Sequence, residues 1–226
     1  MRRREFMRAG VAAAVAVTGA GSRAAGDSDA ATAIRVALER GAHSAVELLG
    51  KPDGFLGNPK VRIPLPKYLE DAAPMLKLAG QQKRLDELVV SMNRAAEQAV
   101  PEARTLLEQA VRSMSIDDAR RIVTGGDDAA TRFFEEKTRA PLTQRFLPIV
   151  TRETEKLALA QQFNEIAGKA GGLGLVHGSD ANVQQYVTAK ALDGLYRMIG
   201  EEEKRIRQDP VGTGSAILKQ VFGGLR

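Results

Sequence analysis

At 226 residues, 43% hydrophobic and 27% charged, the chain is long enough for one sizeable domain and too apolar for a disordered one. It has no cysteine and only two histidines, His43 and His177, which excludes disulfides, thiolate chemistry, lipidation at cysteine and multi-histidine metal sites. The formal charge of +5 suggests a nucleic-acid partner, but residues 1–24 alone hold Arg2, Arg3, Arg4, Arg8 and Arg23 against Glu5; without them, 33 basic and 28 acidic residues become 28 and 27, and no basic run remains to follow a line of phosphates.

Arg3-Arg4-Glu5-Phe6-Met7-Arg8 resembles the twin-arginine export consensus, departing from it in Arg2, Met7 and Arg8. Ala9 to Ala20 is weakly apolar and spans only ~18 Å as a helix, too short for a ~30 Å hydrocarbon core. Small residues around Ala20-Gly21-Ser22 and Ser22-Arg23-Ala24 offer cleavage points. Residues 1–24 are therefore expected to be a removable signal, with Arg3 and Arg4 as its signature, and the mature protein to be periplasmic. No later stretch has the ~18 apolar residues of a transmembrane helix.

Residues 25–29 read as a polar tail, and residues 30–223 as a single helical domain. Ile34, Ala37, Leu38, Ala45, Leu48 and Leu49 recur at helical spacing over Ala30–Leu49, with Gly41 weakening the centre. Gly50 to Pro66 is irregular: Lys51-Pro52-Asp53-Gly54 and Asn58-Pro59 are turns by composition, and Val61, Ile63 and Leu65 alternate with Lys60, Arg62, Pro64 and Pro66. The prolines forbid a central strand and leave an extended, polyproline-like strip with one apolar edge. Helices are expected at Tyr68–Leu78, Gln81–Val100 and from Pro101 to Met114. Ser115 and Asp118 read as a capping box for Ile116–Val123. Gly125-Gly126 and Asp127-Asp128 separate that helix from Ala129–Arg139.

Two long helices are expected in the C-terminal half. Leu142–Ala167 has the stripe Leu142, Phe146, Ile149, Val150, Leu157, Ala160, Phe163, Ala167, and Pro148 is placed to kink it. After the loop Gly168–Gly178, Asp180 caps Val183–Gln208, Asp209-Pro210 stops it, and Ser215–Phe222 is a last amphipathic piece. Aromatics are 4% of the chain and tryptophan is absent, so an aliphatic core must pack these elements. The fold expected is all-α: a single-domain multi-helix bundle with two long C-terminal-half helices and a Pro-rich extended strip.

Several motifs resemble one uncharacterised bacterial family. They are Pro52-Asp53-Gly54-Phe55-Leu56, Val61-Arg62-Ile63-Pro64-Leu65-Pro66, Ser91-Met92-Asn93-Arg94-Ala95-Ala96-Glu97, Met114-Ser115-Ile116-Asp117-Asp118-Ala119-Arg120, the Gly125-Gly126-Asp127 turn and Phe146-Leu147-Pro148-Ile149-Val150. Above all, Tyr186 to Leu195, Ile199 to Glu203, Ile206-Arg207, Asp209-Pro210 and Leu218 to Gly223 resemble the C-terminal signature of the family known as domain of unknown function 4197. The resemblance covers roughly residues 32–223. It implies an exported helical protein and no particular activity, cofactor or site residue.

Three polar residues stand on apolar helical faces. Asn93 shares one with Val89, Ala96 and Val100; Glu153 continues the stripe of Phe146, Ile149 and Val150; Asp193 lies near Tyr186, Ala189 and Tyr196. If Glu153 and Asp193 converge in the bundle they form a cation site or an acid/base pair. The alternative is that helical neighbours pair them: Lys190 and Arg197 for Asp193, Glu97 for Asn93, and the rim for Glu153. Glu201-Glu202-Glu203-Lys204-Arg205-Ile206-Arg207 reads as a solvated face with i,i+4 pairs Glu201–Arg205 and Glu203–Arg207. Gly171-Gly172-Leu173-Gly174 lacks the lysine and preceding strand of a phosphate cradle and reads as linker; His177 has no neighbouring nucleophile beyond Ser179, and His43 reads as a rim residue.

The strip with Phe55, Val61, Ile63 and Leu65 either presents an edge to a partner or ligand, or is an arm clamped on the bundle. The sequence thus favours an exported binding or interaction protein over an enzyme, its partner an apolar, lipid-like ligand or another envelope protein. The rivals are a carboxylate-based metal-binding protein or enzyme using Glu153 and Asp193, and a purely structural envelope protein. No cofactor or metal set is legible.

Overall fold

The structure, a computed structural model, describes residues 20–156, 160–162, 164 and 182–209, with side chains from residue 30 onward. Its elements run α1 (Ala20–Leu49), α2 (Lys67–Leu78), α3 (Gln82–Ala99), a 3₁₀ turn (Val100–Glu102), α4 (Ala103–Arg112), α5 (Ile116–Thr124), α6 (Ala129–Thr154) and α7 (Val183–Gln208). No strand occurs among the described residues, and the fold is all-α. The long α6 and α7 pack along each other, α3 lies on α6, and α1 bridges α7, α4 and α5. Residues 51–66 remain outside any helix, as the prolines dictate.

The core is aliphatic with a few rings: Leu49, Ile63, Leu69, Leu88, Met92, Leu107, Leu142, Leu192 and Leu195 are fully buried together with Phe55, Phe134 and Phe146. Small residues let the helices approach, notably Ala95, Ala96 and Ala99 on α3 and Ala42 and Ala45 on α1. Among the described residues no helix is long and apolar enough to cross a membrane.

Three boundaries differ from expectation. Residues 25–29, expected as a polar tail, belong to α1, where flanking alanines carry the helix back to Ala20. The break expected near residue 140 is absent: α6 runs from Ala129 through Pro141 and Pro148. The carbonyls of Lys137 and Gln144, which those prolines deprive of a partner, belong to exposed residues, so water can take them. The helix then stops at Thr154, whose buried hydroxyl takes the Val150 carbonyl at 2.8 Å, instead of running to Ala167; Ala160, Gln161, Gln162 and Asn164 are again helical. The capping box is present, with Asp118 N donating to Ser115 Oγ at 3.0 Å and Ser115 N to Asp118 Oδ2 at 3.0 Å. Asp180, Leu157, Phe163, Ala167, the Gly168–Gly178 loop, His177 and the Ser215–Phe222 piece lie outside the described residues, as does Arg3-Arg4.

Candidate functional site

Asn93 and Glu97 are one helical turn apart on α3 and face residues 55–63. Asn93 is fully buried and uses its whole amide. Its Oδ1 accepts from Ile63 N at 2.9 Å; its Nδ2 donates to Ile63 O at 2.9 Å and Val89 O at 2.8 Å. It thereby supplies the donor and acceptor that a neighbouring strand would have given to Ile63. Glu97, also buried, accepts from the N–H groups of Phe55 and Leu56 with one oxygen, at 3.0 and 3.1 Å. Its other oxygen receives Arg94 Nη1 at 2.7 Å, and Arg94 Nη2 continues to Asp53 Oδ1 at 2.8 Å. Asp53 is the one non-glycine at positive φ among the described residues (65°), a conformation aspartate tolerates, and it turns the chain into this clamp.

The apolar edge of the strip points inward. Phe55, Val61 and Ile63 are buried and Leu65 is partly so. The Phe55 ring lies where α7 has no side chain: a Cβ on Gly194 would stand 2.7 Å from Phe55 Cε1 and 3.3 Å from Val61 Cβ. Farther along, Tyr186 Oη donates to Pro64 O at 3.2 Å, and Lys60 Nζ pairs with Glu201 Oε2 at 2.8 Å. Of the two readings of the strip, the structure has the arm held on the bundle, fastened through its main chain to α3 and through its side chains to α7.

The three interior polar candidates do not share a site. Asn93 serves the strip. Glu153 sits half-buried at the end of α6 between Lys156 Nζ at 2.9 Å and Arg152 Nε at 3.2 Å; the Lys156 hydrogen bond, with help from Arg152, holds its carboxyl below the ordinary range. Asp193 is half exposed, and its partner is Arg139 of α6 at 2.9 Å, not Lys190 or Arg197. Arg139 also covers the ring of Tyr196, whose burial pushes its phenol up to about 12 although Thr138 hydrogen-bonds it at 2.9 Å. Each carboxylate therefore has its own cation, on different parts of the surface.

The acidic run of α7 holds what sequence reasoning missed. Glu202 and Glu203 are buried, so the face is not solvated throughout, and the expected Glu201–Arg205 pair is replaced by Glu201–Lys60 and Glu202–Arg205. Glu203 caps α6 from 73 residues away, accepting from Ala130 N at 3.0 Å, Thr131 N at 2.9 Å and Thr131 Oγ1 at 2.9 Å. Arg207, its expected partner, closes on it at 2.7 Å and also donates to Ile122 O at 2.8 Å. Asp128 makes no side-chain cap at that helix start, and of this network the sequence carries only the i,i+4 spacing of Glu203 and Arg207. Beside it, Ile34, Leu38, Phe134, Ile199 and Ile206 line an apolar cleft between α1, α6 and α7. Its space is about 30 Å³, against the ~10–15 Å³ that one enclosed water needs.

One apolar surface faces outward. On α2 only Leu69 is buried, while Met75 and Leu78 are 76% and 91% exposed beside Pro74. Among the described residues α2 packs chiefly on α3.

A family model described as protein of unknown function (DUF4197) matches residues 24–223. No curated protein and no solved structure matches the chain.

Proposed function

The chain belongs to the DUF4197 family, and from that premise we propose that it is an exported interaction protein of the cell envelope whose contact surface is the outer edge of α2. The exposure of Met75 and Leu78 carries the reading: two long apolar side chains one turn apart, beside a proline, form a small hydrophobic edge of the kind that meets a partner. The interior is otherwise engaged. The strip residues Phe55, Val61 and Ile63 fill the protein's own core, and the apolar cleft beside Glu203 has room for a few water-sized groups, not for an acyl chain. Export rests on the Arg3-Arg4 pattern, and the family match begins at residue 24, where the expected leader ends.

Replacing Arg3 and Arg4 by lysine tests the address: unprocessed protein should accumulate in the cytoplasm, whereas undisturbed export would sink the twin-arginine route. A photo-crosslinking residue at Leu78 tests the surface. A discrete adduct should form in cells and disappear with Met75→Asp, while the same probe at exposed Lys83 gives none. Identical patterns at both positions would overturn the assignment.

A further inference from the structure

Glu39 and His43 are four residues apart on α1, and Glu108 meets them from α4. The spacing puts the first two on one helical face. Nε2 of His43 lies 2.7 Å from Glu108 Oε1, and one donor atom from each of the three residues falls within 4.8 Å of both others. All three are half-buried. Donor atoms around a four-coordinate metal at ~2.0–2.2 Å are ~3.4 Å apart, so small rotations about the glutamate side chains would close the set.

Electrostatics supply a second, independent observation. Glu39 has neither a hydrogen bond nor an ion pair among the described residues, although it is half-buried beside a second carboxylate. The nearest guanidinium to that second carboxylate, Arg112, is 75% exposed and stands 3.7 Å away on the far oxygen, Glu108 Oε2. Other carboxylates that are buried or half-buried have a cation in contact: Arg94 for Glu97, Lys156 for Glu153, Arg207 for Glu203. Glu39 is thus a carboxylate whose positive partner is missing, directed at an imidazole and another carboxylate.

We propose that Glu39, His43 and Glu108 bind a divalent transition-metal ion of the zinc class between α1 and α4. One imidazole nitrogen with two carboxylate oxygens suits Zn(II), Co(II), Mn(II) or Fe(II) better than the all-oxygen preference of Mg(II) or Ca(II). Three protein ligands leave at least one position open to water or to a small ligand. The site is separate from the α2 edge, so it stands or falls independently of the interaction reading.

The test uses tag-free, metal-stripped full-length protein, with ZnCl2 in calorimetry and CoCl2 in NMR. Zinc should bind once per chain. Glu39→Gln, which breaks no existing contact, should weaken it at least about 10-fold, the loss that even an outer partner of a metal ligand causes. Glu47→Gln, on the same helix and paired with Arg104, should leave affinity unchanged. Co(II) should broaden the imidazole signals of His43, and Glu39→Gln should reduce that broadening at the same Co(II) concentration. No stoichiometric zinc binding, equal affinity in Glu39→Gln, or His43 signals left sharp by Co(II) would overturn the proposal.

Discussion

Asn93 shows what one buried amide can do when the chain beside it has no strand partner. Two of its three hydrogen bonds pair Ile63 through both N–H and carbonyl, so Asn93→Ala leaves a buried N–H and a buried carbonyl unpaired. At ~1–3 kcal/mol for each orphaned group, the variant should lose about 3 kcal/mol in urea unfolding, and a loss under ~1 kcal/mol would show that water replaces the side chain. Gly194 is the complementary case, needed for its missing atom. Gly194→Ala should destabilise by about 1–3 kcal/mol through overpacking against Phe55. Adding Phe55→Leu to it should cost less than the two changes summed, because they share one space. Neither role is written in the local sequence. Asn93 is legible as a polar residue on an apolar face, but its partner lies 30 residues away in a segment without periodicity. Gly194 in an otherwise helical run gives the same kind of weak hint.

Among the elements, α5 and α6 contrast two ways of starting a helix. The start of α5 is local and was readable from Ser115 and Asp118, since a capping box needs only residues three apart. The Ser115 hydroxyl and backbone bonds, aided by Arg121, hold the Asp118 carboxyl down at about 2. Its folded value is below its ordinary 3.8, so the stabilisation is fully present above pH ~4 and is lost as pH falls toward 2. Asp118→Asn should therefore flatten the acid limb of a stability-against-pH curve and be the less stable of the two proteins at neutral pH; parallel acid limbs would refute the assignment. The start of α6 is remote. Glu203→Ala strips the cap from Ala130 and Thr131 and takes away the carboxylate that faces the mostly buried Arg207 guanidinium, which should cost about 3–5 kcal/mol. Glu201→Ala, losing only the exposed pair with Lys60, should leave the same melt almost unchanged. Two adjacent-looking acids thus differ several-fold in weight. Helical periodicity placed α7 correctly but could not say which of its glutamates turns inward, because that depends on where α6 begins.

Over the whole molecule, the all-α class, the irregular 51–66 segment and the stripe Leu142-Phe146-Val150 were open to view, because apolar spacing and proline are local signals. The candidate sites were not. Asp193 is exposed instead of facing the interior and meets Arg139 across the packing of α6 on α7, while Glu153 is taken by its chain neighbours Arg152 and Lys156. Contacts with α3 and α7 make the strip part of the core instead of an appendage. The amide hydrogens of Phe55, Leu56 and Ile63 should accordingly exchange with solvent as slowly as those of α3, through global opening alone. Exchange at loop rates would mean that the arm lifts while the bundle stays folded.

The long reach of Glu203 also bears on how the protein is made. A nascent chain acquires the residues of α6 well before it has delivered Glu203 and Arg207, so the first turn of α6 stays open until almost the whole described domain has left the ribosome. Delivery of the last turns of α7 and completion of the fold are then nearly one event, and a chain cut short ahead of residue 203 carries a lasting mark of its own incompleteness.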